Sequence, residues 1–137
     1  MVKLRIALLH LDLSGGPEKR NLDLLAKAAD SWFVDKAKVL KDKGAEVLTV
    51  PAAWPPGEWG PGDCWERCSQ VSGLPVWACN QTGNQEALDF SQAQSVVVAA
   101  GKTQFSYSGL QQAVLLFDWD CSNNCTASRQ FTVLALN

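Results

Sequence analysis

The chain carries two hydrophobic rhythms, and their changes of period mark its elements. Lys3 to Leu11 is an almost unbroken apolar run, and Ser14-Gly15-Gly16-Pro17 interrupts it, the pattern of a buried strand followed by a turn. Pro17 suits the first position of a helix, where its missing N–H would have no intrahelical partner in any case. From there to Lys43 the apolar residues Leu22, Leu25, Ala29, Trp32 or Phe33, Ala37 and Leu40 recur at helical spacing. Gly44 ends that pattern where a helix takes up a left-handed residue, so one long helix bent near Asp30-Ser31 is expected.

Ala45 to Val50 reads as a buried strand closed by Pro51. The stretch Trp54 to Gly62 must be a loop, because its prolines remove donors and its glycines disfavour a helix. Asp63 followed by Glu66 has the spacing of a capping box, which starts a helix running to about Ser72 and stopped by Gly73. Pro75 to Asn80 is the next strand. Ser95–Ala99 and Thr103–Tyr107 form a hairpin turning at Ala100-Gly101, and Ala113–Trp119 is a further strand. The tail from 121 to 137 is polar and then apolar again from Phe131 to Leu136, an edge strand or a docking segment.

The element order is therefore β-α-β-α-β-β-β-β, with the tail as an addition. Strands joined through helices favour parallel pairing, and the later ones favour hairpins, so a mixed sheet is expected. Val96-Val97-Val98-Ala99 and Ala113-Val114-Leu115-Leu116-Phe117 are apolar at successive positions and therefore buried on both faces. Two helices cover one face of such a sheet. The other face needs a partner, and a second copy of the chain is the simplest. The expectation is a single α/β domain over residues 1–137, a two-layer unit with a mixed sheet that pairs as a homodimer or larger oligomer.

Composition changes this picture little. The chain of 137 residues is 47% hydrophobic and 19% charged, with a formal net charge of −2, which fits one soluble domain and gives no reason to bind nucleic acid or an anionic membrane. Lys36, Lys38, Lys41 and Lys43 read as a solvated helix face near its negative end. No apolar run approaches a membrane span, and the first strand lacks the cleavage site of a signal peptide, so the cytoplasm is the expected location. Five cysteines, an odd number, then point to thiols rather than a disulfide framework. Six tryptophans signal a Trp-heavy core or an aromatic contact surface.

Three blocks in order resemble the carbon–nitrogen hydrolase (nitrilase) superfamily. Lys3 to Leu11, then Gly16 and Asn21-Leu22, is similar to its first strand and helix. Asp30 and Phe33, then Gly44-Ala45-Glu46-Val47-Leu48 and Val50-Pro51-Ala52-Ala53-Trp54, resemble the segment around and after its nucleophile. Trp65-Glu66-Arg67 and Pro75 to Gly83 resemble its next helix and a strand ending in Asn-x-x-Gly, and Ser95–Ala99, Gly101 and Val114–Asp118 its closing hairpin. The likeness covers most of residues 3–120. It implies part of an αββα sandwich, two face-to-face sheets with helices outside.

The superfamily works with a Glu base, a Lys and a Cys nucleophile that forms a thioester with the amide or nitrile carbon. The stretch that would hold the Glu and Lys looks deleted here, and counting back from Gly44 puts Ala28 at the nucleophile position. If Gly44–Pro51 instead matches an earlier strand of the family, the Glu position holds Ala52. Either way the catalytic residue is absent. The resemblance thus implies a non-catalytic protein that binds or assembles, with no cofactor. The alternatives are an amide or nitrile hydrolase with a rebuilt site, and a metal- or redox-responsive protein.

The candidate residues divide accordingly. Cys79, in a strand, and His10, the only histidine, would make a nucleophile and base if their strands were adjacent, against core packing for both. Trp54, Trp59 and Asn80 would line a binding pocket or a partner surface, against a loop folded on its own tryptophans. Cys64 with Cys68, and Cys121 with Cys125, each have metal-ligand spacing, but no histidine or turn glycine supports them.

Overall fold

A computed structural model of the chain describes residues 3–10, 34–84 and 88–136. Eight strands occur there: β1 (Lys3–His10), β2 (Leu48–Ala52), β3 (Val76–Asn80), β4 (Ser95–Ala99), β5 (Lys102–Tyr107), β6 (Ala113–Asp120), β7 (Cys125–Thr126) and β8 (Thr132–Ala135). Two α-helices accompany them, α1 over 34–42 and α2 (Cys64–Ser72), with a single 3-10 turn at Gly57–Trp59. The bulk of the long helix expected from Pro17, with Ala28, Asp30 and Trp32, lies outside the described residues.

The strands make two sheets. The mixed sheet has the order β2-β3-β4-β5, with β2 parallel to β3 and the rest antiparallel. The second is antiparallel and three strands wide: β6 pairs β1 along its length, and β7 and β8 follow one another along the other side. The parallel pairing expected for helix-linked strands holds for β2 and β3. It fails for β1, which pairs antiparallel with β6, from Lys3 opposite Asp120 to His10 opposite Ala113. Local pattern fixes that β1 is a strand; its partner, distant in sequence, is a choice of tertiary packing.

Each face of the mixed sheet has its own cover. Val50, Val76, Ala78, Val96 and Val98 point to α1 and α2, where Val34, Ala37, Cys64, Trp65 and Cys68 meet them. Trp77, Val97 and Ala99, on the opposite face, pack against Leu115, Phe117, Trp119 and Phe131 of the antiparallel sheet and its tail. The described residues therefore form three layers, α/β/β, rather than two. The sheet face that seemed to need a second copy of the chain is covered by the chain's own second sheet. Strand β4 is buried at every position, as its unbroken apolar run requires. Strand β6 alternates instead, with Val114 and Leu116 only half-buried, because one face alone meets the core.

Local chemistry explains most element ends. At the end of α1, Gly44 takes φ 91°, its N–H donates to Lys41 and that of Ala45 to Leu40, the paired bonds of a Schellman cap. Leu40, expected on the buried side of this helix, is exposed. Helix α2 ends at Gly73, with φ 73°. Its expected capping box does not form: the Asp63 side chain makes no cap bond, and Glu66 instead accepts a hydrogen bond from the Thr103 hydroxyl of β5. Strand β2 starts three residues later than expected and runs through Pro51, because it is an edge strand, where a missing N–H facing away from the partner costs nothing.

Candidate functional site

The residues singled out in the sequence fall into three separate places. Asn80 ends β3 almost fully buried, and its side chain is committed to the fold. Its Oδ1 accepts from the N–H of Trp54 at 3.0 Å and of Gln81 at 3.0 Å, and its Nδ2 donates to the Trp54 carbonyl at 2.8 Å. The backbone N–H of Asn80 donates to Ser95 Oγ at 2.9 Å. Asn80 therefore fastens the start of the proline loop to the sheet. Trp54 itself stacks on Trp65 of α2, centroids 4.7 Å apart and planes 22° apart, over the α-side core. The start of the loop is thus packed onto α2 rather than left open. Trp59 closes the 3-10 turn.

Cys79 is half-buried and packs against the core between the sheets. Its strand has β2 and β4 as hydrogen-bonded neighbours, while His10 ends β1 in the other sheet. Cys64 and Cys68 are fully buried in the α-side core. Burial pushes the Cys68 thiol up from its usual value, and neighbouring Arg67 opposes this only in part, so it stays a neutral packing group. Cys121 and Cys125 flank the turn between β6 and β7, in the other sheet. The two cysteine pairs do not converge, and among the described residues no group of three or more His, Cys, Asp or Glu is placed to hold a metal ion.

A different site emerges at the open end of the sandwich. A cleft of about 290 Å³ lies between the last turn of α1, the stretch leading into β2, and the β6–β7 turn. Trp77 of β3 and Trp119 of β6, both buried, meet edge to face there, centroids 5.3 Å apart. Val47 supplies an apolar wall, and exposed Lys41, Glu46, Cys121 and Asn124 surround the opening. The indole Nε1–H of Trp77 is sealed from water and has no hydrogen-bond partner. An orphaned buried donor of this kind costs about 1–3 kcal/mol and calls for an explanation.

The turn that brings Cys121 and Asn124 to this cleft is built around Asp120. One carboxylate oxygen accepts from the N–H of Ser122 at 2.9 Å and of Asn123 at 3.3 Å, and the other from Asn123 Nδ2 at 2.7 Å. The Asn123 side-chain amide, with those two backbone donors and against the opposing effect of burial, holds the Asp120 carboxyl below the usual carboxylate range. Asn124 then adopts φ 52°, a conformation asparagine tolerates, and Cys125 returns opposite Asp120.

Sequence reasoning placed Trp77 and Trp119 in strands and Lys41 on a solvated helix face, but it could not gather them. They come from three elements, and Trp119 belongs to the second sheet. The only local signals were the tryptophans in strands and the charged Glu46 just before an apolar run. No protein-family model and no curated protein matches this chain. Among the described residues no helix is long and apolar enough to cross a membrane.

Proposed function

We propose that this chain is a non-catalytic, ligand-binding relative of the carbon–nitrogen hydrolases. The observation that carries the reading is the cleft at the sandwich end, where Trp77, Trp119 and Val47 are ringed by exposed polar side chains. Concave sites with an apolar body and a few convergent polar groups are what small-molecule binding requires. The descent rests on the three ordered sequence blocks, and two face-to-face sheets with helices outside one of them are compatible with part of an αββα sandwich. Against catalysis by the sequence candidates stand the packing of Cys79 and the Ala28 at the family's nucleophile position. Assembly is the second half of this proposal. Its surface is the outer edge of β8, where Val133 and Leu134 are exposed.

One observation favours a second reading. Glu46, Lys41 and Cys121 share the cleft opening, and these are the residue types with which the superfamily cleaves amides. In a rebuilt site Glu46 would take the proton of the Cys121 thiol as sulfur attacks the amide carbon. The C–N bond would break, the amine would leave with that proton, and water would hydrolyse the thioester.

Intact-protein mass spectrometry after mixing with activated esters and small amides separates the two. The binding reading expects no acyl adduct faster than on a Cys121-containing unfolded chain, and no turnover. An adduct confined to Cys121, lost in Glu46→Gln and Lys41→Gln and accompanied by amide turnover, would replace binding with catalysis.

A further inference from the structure

We propose that β8 pairs edge to edge with β8 of a second copy of the chain, antiparallel across a two-fold axis at Leu134. The inference rests on the assembly half of the reading above. A free strand edge is a template for further pairing, and natural proteins blunt it with charge, proline, bulges or shortness. The outer edge of β2 carries Pro51, β5 carries Lys102 and a bulge in its pairing with β4, β1 carries Lys3 and Arg5, and β7 is two residues long. Strand β8 has none of these devices. From Gln130 to Asn137 the sequence holds no charged residue and no proline, and the register of β8 with β6 is unbroken. Among the described residues its second edge is unpaired.

Backbone direction decides what that edge accepts. The N–H of Leu136 donates to the Gln112 carbonyl at 2.8 Å, so the even-numbered residues of β8 turn their backbone groups to β6. Those of Val133 and Ala135 therefore point outward. Both faces of the strand are also uncovered. Val133 lies opposite core-facing Leu115 and Leu134 opposite half-buried Val114, so the two stand on opposite faces, and both are exposed. A partner lying on one face would cover only one of them, whereas a strand added at the edge flanks both. A second copy fits that place because the strand complements itself. A two-fold axis perpendicular to the sheet keeps the faces matched and brings Leu134 against Leu134, with Val133 against Ala135 on either side. Each Val133–Ala135 pair then exchanges two backbone hydrogen bonds, and Thr132 meets Leu136. No like charges meet. Centring the axis on Val133 instead would set Ala135 against Phe131, which lies before the strand and is buried between the sheets. The product is one continuous sheet through both copies, in the order β1-β6-β8-β8-β6-β1.

The experiment introduces single cysteines into the full chain, in a Cys121→Ser, Cys125→Ser background that removes the thiols of the β6–β7 turn. With oxidised glutathione as the oxidant, two Leu134→Cys thiols should join as one disulfide while the reagent is reduced to glutathione. A non-hydrogen-bonded antiparallel pair places its Cα atoms about 4.5 Å apart, within disulfide reach. Val133→Cys should stay unlinked, because its counterpart lies two residues along the strand, about 8 Å away. Sedimentation of Ala135→Pro, with the native cysteines in place, should show dimer affinity reduced about thirtyfold, the loss of two ordinary hydrogen bonds. That proline removes an outward N–H and no bond to β6, so dilute protein should melt as the unchanged chain does. If Ala135→Pro does not fold, the two cysteine variants decide alone. A dimer in which Val133→Cys links as readily, or in which neither variant links, overturns this pairing and leaves assembly to another surface. A dimer that Ala135→Pro leaves equally tight overturns it likewise. A monomer at every concentration removes both the pairing and the assembly reading.

Discussion

At the scale of single residues, environment rather than identity separates the five cysteines. The thiolate is the reactive form, and burial disfavours it at Cys68. Native protein treated with iodoacetamide should therefore be modified first at exposed Cys121, with Cys64 and Cys68 reacting only after denaturation; peptide mapping over a time course measures this order. Asp120 gives a pH dependence. Its carboxyl titrates below its unfolded value, so its contribution to stability is present above the unfolded pKa of about 3.9 and disappears as pH falls through the folded value. Thermal melts should show the midpoint dropping below about pH 4, and Asp120→Asn should melt lower at neutral pH with a shallower acid limb. The sequence showed Asp120 only as a charge after a strand. That its two oxygens collect three donors depends on the turn geometry.

At the scale of elements, turns and caps were legible because glycine has few substitutes at positive φ. The β4–β5 hairpin turns at Ala100-Gly101 as its sequence pattern indicates, with φ 51° and 74°. Both central residues in the left-handed region match the twist of the strands, but an alanine there carries strain. Ala100→Asn should stabilise the protein by roughly 0.5–1 kcal/mol in urea unfolding. Gly101→Ala should do the opposite, since its new Cβ would sit 2.9 Å from Gln70 Cβ at an already strained φ. The failed capping box shows the limit of such signals. Spacing put Glu66 within reach of the helix start, but Thr103 on a strand 37 residues away is the partner it meets.

At the scale of the whole molecule, stability lies between the two sheets. Phe117 is 2% exposed and stands edge-on to Trp77, Phe105 and Phe131. Phe117→Ala should cost about 3–5 kcal/mol in denaturant unfolding, more than truncation of any half-buried residue on the outer face of β6, such as Leu116. Assembly, if it uses β8, depends on Val133 and Leu134, which are 43% and 48% exposed on a strand whose second edge is unpaired among the described residues. Light scattering should find a dimer in the native chain and a monomer in the double variant Val133→Lys, Leu134→Lys. A native monomer would remove the assembly half of the proposed function.

The sequence by itself determined where most of the strands and the second helix lie to within a few residues, the glycine stops, and the burial of β4 on both faces. Those features follow from periodicity and backbone sterics within a few residues. Only the tertiary structure decided that β1 leaves the mixed sheet to pair with β6, that the second sheet covers the face expected to need another molecule, and that Lys41, Glu46, Trp77, Trp119, Cys121 and Asn124 surround one cleft. Strand pairing between residues a hundred positions apart has no local signature. An apolar run records that a face will be buried, and the cheapest available surface decides what buries it.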